Sequence, residues 1–476
     1  MKFFNTLSRS IQEFVPRDPR GNSVGLYCCG PTVHDFAHVG NFRTFVFADL
    51  VRRCLELKGF SVRHIMNITD VEDKIIRRVR ENNSSLRDYT AKFESAFFED
   101  FDALNCLRPH VTPRASEHIA DIIALIEKLV ARGVAYRAAD GSVYFSIEKY
   151  QASGALYGRL LKLNFDHLRP GPRVSSDEYP KDAASDFALW KARVPDDGSV
   201  FWPSPWGEGR PGWHIECSAM SMKCLGPSFD LHLGGEDLVF PHHEDEIAQS
   251  EGAGGQAAGE PFVKYWLHGA HLLVEGKKMS KSLGNYFTLR DLLAKGFTGR
   301  EVRYLLLTAH YRESFNFTLE GLQGARAALA RMDECLGKLA EIAAGSEKAP
   351  SEPEVLRQFV DAMDDDFNVA AAWAAIFDWV RETNKQLAEN LITPARAATL
   401  IAAWQKINQV LGLHTKQESE MGEKLDDSLQ KLLDDRQAAR KAKDFKRSDA
   451  IRDELKAKGW AIEDTPKGPR LKPLQP

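Results

Sequence analysis

Hydrophobic and polar positions fall in short blocks through the first part of the chain and settle into a longer period in the last third. Apolar stretches at Val24 to Cys29, Ser61 to Asn67, Phe229 to Leu233 and Trp266 to Val274 read as β-strands. Between them, Phe42 to Leu57 carries apolar residues at helical spacing, and Glu117 to Ala131 repeats that period after Pro113. Strands alternating with helices favour a parallel sheet, so the first part of the chain is expected to be doubly wound α/β. The stretch from Val134 to Pro211 breaks the rhythm with turn signals at Ala139-Asp140-Gly141 and Pro170-Gly171-Pro172, and reads as an insertion of short strands and loops. From Leu319 onward the pattern is helical. Two polar stretches containing Pro or Gly, Gly345 to Pro353 and about His414 to Glu423, read as linkers bounding a helical bundle from a small terminal unit. The expected division is 1–315 for the α/β part, with about 134–211 inserted, then 316–413 for the bundle and 414–476 for the terminal unit.

Length supports that division, because single cores stop growing near ~250 to 300 residues and this chain has 476. At 43% hydrophobic and 27% charged residues it can build sizeable cores. No run approaches the ~18 uncharged apolar residues of a membrane span. The first residues, Met1 to Arg9, are interrupted by polar side chains before a secretory apolar core can form, so a soluble, cytoplasmic protein is expected. Seven scattered cysteines argue against a disulfide framework and leave thiols for metal or chemistry. Net charge is −4, so no global positive field recruits nucleic acid. From Arg436 to Pro476, however, twelve basic residues face six acidic ones, which gives this tail +6 and the preceding residues −10. A basic terminal module hints at a polyanionic partner.

The segment Cys28-Cys29-Gly30-Pro31-Thr32-Val33-His34-Asp35-Phe36-Ala37-His38-Val39-Gly40-Asn41 follows the first strand and precedes the Phe42 helix. The carboxyl edge of such a sheet opens there into a ligand crevice. A helix N-terminus offers unpaired N–H groups, His38 and Asn41 add hydrogen-bond donors, and Gly40 lets a ligand approach the backbone. That combination suits a nucleotide phosphate. His34 and His38, four apart and beside Cys28 and Cys29, equally permit a local zinc site. A second element is Lys277-Lys278-Met279-Ser280-Lys281-Ser282-Leu283-Gly284-Asn285, which follows an apolar strand. Its lysines, with hydroxyl residues between them, can clamp a leaving pyrophosphate and neutralise charge developing at the transferred centre.

A third constellation joins Gly212-Trp213-His214-Ile215-Glu216-Cys217-Ser218 to Phe240-Pro241-His242-His243-Glu244-Asp245-Glu246, with His242 lying 25 residues after Cys217. A helix starting after Pro241 puts His242 and Glu246 on one face, ready to share a metal with Cys217. Thiolate, imidazole and carboxylate are all zinc ligands. Cys224 and His243 remain open as substitutes.

The Lys-Met-Ser-Lys-Ser spelling of 278–282, paired with an upstream His-x-Gly-x, resembles the class I aminoacyl-tRNA synthetases. That resemblance implies a Rossmann-like catalytic domain over 1–315 that activates an amino acid with ATP and transfers it to a tRNA terminal ribose. His38 and Asn41 match the ends of the family's His-Ile-Gly-His motif. Asn41 stands where a second histidine is usual, and it can donate one hydrogen bond but carries no charge. Lys278 to Ser282 match without departure, and Lys281 takes the ATP-contacting position. The implied catalytic residues are His38, Lys278 and Lys281. Asp237, in the run Gly234-Gly235-Glu236-Asp237-Leu238, is expected to accept from ribose hydroxyls, which places His38, Asn41, Asp237 and Lys281 around ATP with its Mg2+.

The Cys/His/Glu constellation, together with a cysteine on the first strand, resembles the zinc site of the cysteinyl-tRNA synthetases, and this resemblance spans nearly the whole chain. Carried over position by position, it implies one Zn2+ held by Cys29, Cys217, His242 and Glu246, with Cys28 on the opposite strand face. Trp213 and His232 lie in matching segments and are expected to line the pocket. A soft substrate thiolate adds readily to such an ion, whereas a serine hydroxyl is a poor ligand. A purely hydrophobic pocket rejects so near an isostere by only about 10- to 200-fold, so ligation supplies what shape lacks. The implied partners are ATP, L-cysteine and cysteine tRNA, with no membrane and a monomeric chain. The unit 414–476 takes the place of an anticodon-binding unit, with Arg436, Arg440, Lys441, Lys443, Lys446, Arg447 and Arg452 on its helical patterns. Lys467-Gly468-Pro469-Arg470 departs from the tryptophan-bearing ending of the family, and Trp460 is the aromatic residue left to compensate.

Three further runs read as structure. Asn67 to Lys74 suits a strand end and helix cap. Met363 to Asn368 reads as a helix start and interdomain structure. Gly207-Glu208-Gly209-Arg210-Pro211-Gly212 satisfies G-x-G-x-x-G, but it follows Trp206 in a Pro-rich loop rather than a strand. Two competitors remain: a cysteine ligase that delivers the same adenylate to a small amino sugar, and a zinc-stabilised nucleic-acid-binding module without catalysis.

Overall fold

The computed structural model describes residues 1–161, 186–280, 283–343, 346–347, 353–414, 427–441, 444–457, 460–465 and 468–473. Lys281 and Ser282 of the lysine-rich loop, Pro170-Gly171-Pro172 and much of both linkers lie outside the described residues. The chain divides into two compact units, Met1–Leu413 and His414–Pro476.

In the first unit, four parallel strands form the central sheet in the order Val263–Gly269, Phe229–Gly235, Ser23–Cys28, Ser61–Met66. The chain therefore builds outward from Ser23–Cys28 to Ser61–Met66, then returns to lay Phe229–Gly235 on the opposite side. That reversal is the topological switch point, where an open parallel sheet has its ligand crevice. Successive side chains alternate between faces. Cys28, Leu233 and Leu267 join the core beneath the helix Val39–Leu57. Tyr27 and Trp266 pack with Cys217 and Ile247 from the helices Trp213–Leu225 and Glu244–Ala253. Helices on both faces make the sheet doubly wound.

The apolar run Trp266 to Val274 is two strands rather than one. The first ends at Gly269, and Leu272–Val274 belongs to a separate sheet with Lys277–Lys278 and Phe315–Phe317. The break falls within His268-Gly269-Ala270-His271, where the buried Arg43 guanidinium donates to the carbonyls of Ala270 and His271 at 2.8 Å each. The inserted region forms a four-stranded antiparallel sheet from Ala135–Arg137, Val143–Phe145, Phe187–Ala192 and Gly209–Pro211. It has its own core of Phe145, Phe187, Leu189 and Trp190 packed with Ile122 and Ile126 of the helix Ile119–Ala131. The G-x-G-x-x-G look-alike thus contributes an edge strand of this sheet.

The helices Leu319–Ala343, Glu354–Asp364, Val369–Ala388 and Pro394–Leu411 share one continuous core with the helix Val39–Leu57. Within the run Met363 to Asn368, Asp366 accepts from the Phe4 N–H at 2.8 Å and the Tyr311 hydroxyl at 2.7 Å, and Asn368 caps the next helix. The run ties the start of the chain to the bundle. Similarly, Glu72 caps Asp73–Glu81 by accepting from the Lys74 N–H at 2.7 Å. No described helix is long and apolar enough to cross a membrane.

The second unit contains the helices Asp427–Lys441 and Phe445–Ala457 and an antiparallel hairpin of Trp460–Thr465 and Gly468–Pro473. Ile451 and Leu455 are buried against Leu432 and Ile462. Arg440, Lys446, Arg447 and Arg452 are exposed, whereas Arg436 is buried and leaves the set expected to face RNA.

Candidate active site

The first central strand ends at Cys28, and Cys29 extends the pairing by one more hydrogen bond, from its N–H to the Leu233 carbonyl at 3.2 Å. Gly30 then crosses Asn67 so closely that a Cβ would lie 2.8 Å from the Asn67 carbonyl carbon, which only glycine tolerates. The Cys29 sulfur is thereby held over the sheet face that carries His232. Cys217 arrives from the helix Trp213–Leu225. His242 and Glu246 arrive from the segment after Gly235, but not from one regular helix: Val239–His243 is a π-type turn with Phe240 extended, and the α-helix proper starts at Glu244. The two side chains nevertheless meet, His242 Nε2 to Glu246 Oε1 at 3.2 Å.

Cys29 Sγ lies 3.9 Å from Cys217 Sγ, 3.6 Å from His242 Nε2 and 3.7 Å from Glu246 Oε1. The ligand atoms of Cys29, Cys217, His242 and Glu246 all fall within 4.8 Å of one another, and all four residues are buried. A second group shares two members: Cys29, His232, His243 and Glu246 meet the same condition. In it His243 Nε2 is 3.4 Å from Cys29 Sγ, and His232 Nε2 is 3.1 Å from Glu246 Oε2. Of the substitutes left open by the sequence, His243 belongs to this second group, while Cys224, Cys28, His34 and His38 belong to neither. Trp213 and His232 both adjoin the centre, the Trp213 ring 4.8 Å from the His242 ring and the His232 ring stacked 4.4 Å from Trp266.

Behind these side chains stand partners that the sequence did not single out. His214 Nδ1 is 2.8 Å from His242 Nδ1, and His214 Nε2 is 3.5 Å from the Asp245 carboxylate. His243 Nδ1 is 2.7 Å from His268 Nε2, whose Nδ1 lies 2.8 Å from the Thr6 hydroxyl. Each chain of contacts leaves Nε2 of the inner histidine as the atom facing the cysteines. Such outer partners fix the tautomer and orientation of an imidazole ligand. The three consecutive acids have separate tasks. Glu244 accepts the Gly158, Arg159 and Leu160 N–H groups at 2.7 to 3.0 Å, Asp245 takes the Tyr157 hydroxyl at 2.5 Å, and Glu246 faces the centre. The signal for His214 lay next to Trp213 in the sequence; nothing local marked Thr6 or His268.

The thiol of Cys29 donates to Cys217 and holds Cys217 down to about 6, while burial and its negative neighbours push Cys29 well above its ordinary value. Burial works against ionised Glu246, but His232 and His242 hold it at about 2. Burial likewise works against charged His242, yet Cys217 and Glu246 lift it to about 10. His243 and the two outer imidazoles stay neutral: burial lowers His243 and His214 far below their ordinary values and His268 to about 3. Two cysteine sulfurs, an imidazole and a carboxylate, all buried, are a donor set suited to a borderline-soft dication.

Beyond the same strand, His38 caps the helix Val39–Leu57. Its Nδ1 accepts the Asn41 N–H at 3.2 Å, and the Asn41 side-chain oxygen accepts the His38 N–H at 3.1 Å. Asparagine at 41 thus closes a capping box, a task that uses its oxygen as an acceptor. The lysine-rich loop reaches this helix start. A Cβ on Gly40 would lie 2.9 Å from Met279 Cε, Val39 N–H donates to the Phe287 carbonyl at 3.0 Å, and Tyr286 stands edge-on to His38 with centroids 5.2 Å apart. Asn285 fastens the loop, accepting from Ser280 N–H at 2.9 Å and donating to the Val274 and Lys278 carbonyls at 3.0 and 3.2 Å. Lys278 is exposed. Asp237 is exposed after the strand Phe229–Gly235, its carboxylate folded against Gly235.

Residues 16–327 match the family model for the class I (C) tRNA synthetase catalytic domain, 358–416 match the DALR domain, and 423–469 match the cysteinyl-tRNA ligase anticodon-binding domain. A cysteine–tRNA ligase from Chlamydia caviae is 47% identical over 478 residues, spanning 99% of this chain and 97% of that protein. One from Protochlamydia amoebophila is 43% identical, spanning 99% and 98%. Among solved structures, Mycobacterium tuberculosis methionyl-tRNA synthetase in complex with methionyl-adenylate aligns with TM-score 0.60 over 82% of this chain and 90% of its own, at 15% identity. The ternary complex of Agrobacterium radiobacter LeuRS with tRNA and LeuAMS aligns with TM-score 0.61 over 84% and 85%, at 12% identity, and both likenesses bear on the fold.

Proposed function

From the premise that the chain belongs to the cysteine–tRNA ligase family of class I synthetases, we propose that its two neighbouring centres divide one reaction between them. The chain is an ATP-dependent ligase that joins cysteine to tRNA. L-Cysteine and ATP give cysteinyl-adenylate and pyrophosphate, and the cysteinyl group then passes to the 3′-terminal adenosine of cysteine tRNA. The observation that carries the assignment is the buried group of two thiols, an imidazole and a carboxylate at the end of the strand that leads into the His38 helix.

Cys29, Cys217, His242 and Glu246 would hold one Zn2+, which when bound offers a soft acid that favours a substrate thiolate over the hydroxyl of serine. Trp213 and His232 wall that pocket. The N-terminus of Val39–Leu57, with His38 at its cap, receives the ATP phosphates, accompanied by Mg2+. Asn41 acts on ATP by fixing His38, and Asp237 accepts from the ribose. The cysteine carboxylate attacks the α-phosphorus in line while pyrophosphate leaves on the opposite side, and Lys278 and Lys281 neutralise the charge that develops there. No protein nucleophile is needed: a ribose hydroxyl of the tRNA attacks the carbonyl and displaces AMP. Residues 1–315 form the catalytic part, with about 134–211 as the inserted connective region; 316–413 form the bundle and 414–476 the anticodon-binding unit. The chain works as a monomer in the cytoplasm.

Cysteine-dependent ATP–pyrophosphate exchange by the zinc-loaded protein, with serine as control, followed by charging of cysteine tRNA, tests the assignment. Exchange with cysteine alone, plus charging, is the expected outcome. Exchange without charging points to a small-molecule ligase, and no exchange in a folded, zinc-loaded sample leaves a binding module.

A further inference from the structure

The residues before Arg436 carry a net charge of −10, so the catalytic part repels a polyanion except where basic side chains gather. One such place flanks the crevice. The helix Asp73–Glu81 buries Ile75, Ile76 and Val79 against Val33, which belongs to the segment between Cys29 and His38. Its opposite side presents Lys74, Arg77 and Arg78, all exposed, at the i, i+3 and i+4 spacing that aligns side chains in one stripe. Among the described residues Arg77 has no ion-pair partner, and the ion pair of Arg78 is with the exposed Glu81, at 3.6 Å. Lys74 and Arg78 lie within electrostatic reach of His34, and the neighbouring Tyr89 hydroxyl donates to the His34 carbonyl at 2.8 Å. The helix is fixed at its start: Asp73 pairs with Lys191 at 3.1 Å and Arg210 at 2.6 Å, both from the inserted sheet. The stripe therefore stands on an anchored helix beside His34, in the segment that joins Cys29 to His38.

A terminal adenosine seated in the crevice between Cys29 and His38 has its adjoining phosphates close to this segment, and the stripe beside His34 offers them basic side chains. We propose that Lys74, Arg77 and Arg78 form a phosphate-binding rail for the 3′-terminal strand of the tRNA. The proposal rests on the tRNA-charging reading above. Backbone contacts of this kind set position without reading sequence, and each neutralised phosphate steepens the salt dependence of binding by ~0.7 to 0.9 in log–log slope.

The test is the double variant Arg77→Glu/Arg78→Glu, with Arg77→Ala as the mild version and Arg357→Glu on the bundle as control. Expected for the double variant are a rise of at least about tenfold in KM for tRNA and a salt slope shallower by ~1 to 2, with cysteine-dependent ATP–pyrophosphate exchange unchanged. Arg77→Ala gives the same pattern at about two- to fivefold, and Arg357→Glu gives none. Phosphorothioate footprints lost in the variants should fall on the 3′-terminal strand. Unchanged KM and slope in variants that still exchange would overturn the proposal, as would lost footprints elsewhere on the tRNA. Loss of exchange in both Arg77 variants would overturn it too, since the helix would then serve the crevice itself. A parent protein that exchanges but charges no tRNA would instead overturn the reading on which the rail rests.

Discussion

Replacing His214 by phenylalanine separates the two overlapping groups of candidate ligands. For His242 to offer its Nε2 lone pair to an ion, its proton must sit on Nδ1, 2.8 Å from His214 Nδ1 in a fully buried setting. His214→Phe keeps a ring of similar shape and removes that acceptor, while Asp245 retains the Tyr157 hydroxyl. A buried N–H left without a partner costs about 1 to 3 kcal/mol. The cost falls mainly on the ion-bound state, where Nε2 is given to the ion and the remaining proton must stay on Nδ1; in the ion-free state His242, lifted to about 10 and so protonated on both nitrogens, can release its Nδ1 proton and keep Nε2–H on Glu246, 3.2 Å away. At ~1.4 kcal/mol per tenfold, Zn2+ affinity should drop by about 5- to 150-fold, in the range expected for losing an outer partner of a metal-bound histidine. His214→Asn, whose side-chain oxygen can stand where Nδ1 stood, should restore most of it. Competition with a chromophoric chelator measures the affinity, Co2+ absorption reports thiolate ligation, and a urea midpoint checks the fold. His268→Phe is the matched test of the other group, since His268 is the acceptor for His243. Zn2+ affinity of His214→Phe within about twofold of the parent would refute the reasoning, and weakening by His268→Phe alone would move the ion to the Cys29, His232, His243, Glu246 group.

Gly40→Ala should lower the kcat of cysteine-dependent exchange by about tenfold, because the new Cβ meets Met279 Cε at 2.9 Å and the His38 ring at 3.0 Å. Stability should change by less than ~1 kcal/mol, since alanine favours the helix, so a matching loss of urea midpoint would count against a local effect. His64 is buried with neither ring nitrogen hydrogen-bonded, and burial lowers it to about 3. The unfolded chain therefore takes up a proton that the folded one refuses, and stability falls as pH drops below ~6.5, by up to ~1.4 kcal/mol per pH unit. His64→Leu should remove that slope in urea melts between pH 6.5 and 5, and parallel pH profiles for variant and parent would be the contrary result. Arg303, 0% exposed, donates to Asp49, to the Leu411 carbonyl at 2.6 Å and to the Leu104 carbonyl at 3.1 Å. Arg303→Met leaves Asp49 with Arg53 alone among its cationic partners and should cost about 3 to 5 kcal/mol by denaturant unfolding; a loss under ~1 kcal/mol would show the ion pair to be dispensable.

The strands at 24, 61 and 229 and the helices at 42, 117 and 319 were legible because hydrophobic period is a local property that burial enforces directly. Residue chemistry is equally local, so Cys29, Cys217, His242 and Glu246 could be named as one set from their types and from resemblance. What periodicity missed was decided elsewhere in the chain. The run Trp266 to Val274 breaks at Ala270, where Arg43 on a distant helix takes the carbonyls of Ala270 and His271. The helix expected from Pro241 begins at Glu244 because the extended Phe240 and the π-type turn Val239–His243 precede it, and that turn is what carries His242.

By itself the sequence determined the strands at 24, 61 and 229 and the helices at 42, 117 and 319, named candidate ligands for a dication and for phosphate, and showed where the basic tail lies. Only the tertiary structure decided the strand order that puts Cys29 beside Leu233 at the switch point, the approach of Met279 to Gly40, and the second group built from His232 and His243. It also gave His214, which stands within a quoted segment, its place behind His242, and supplied His268 and Thr6, which no motif marks. Contacts between residues hundreds of positions apart depend on register and on which face of the sheet each helix covers, and a one-residue shift in either would send these side chains to the other side.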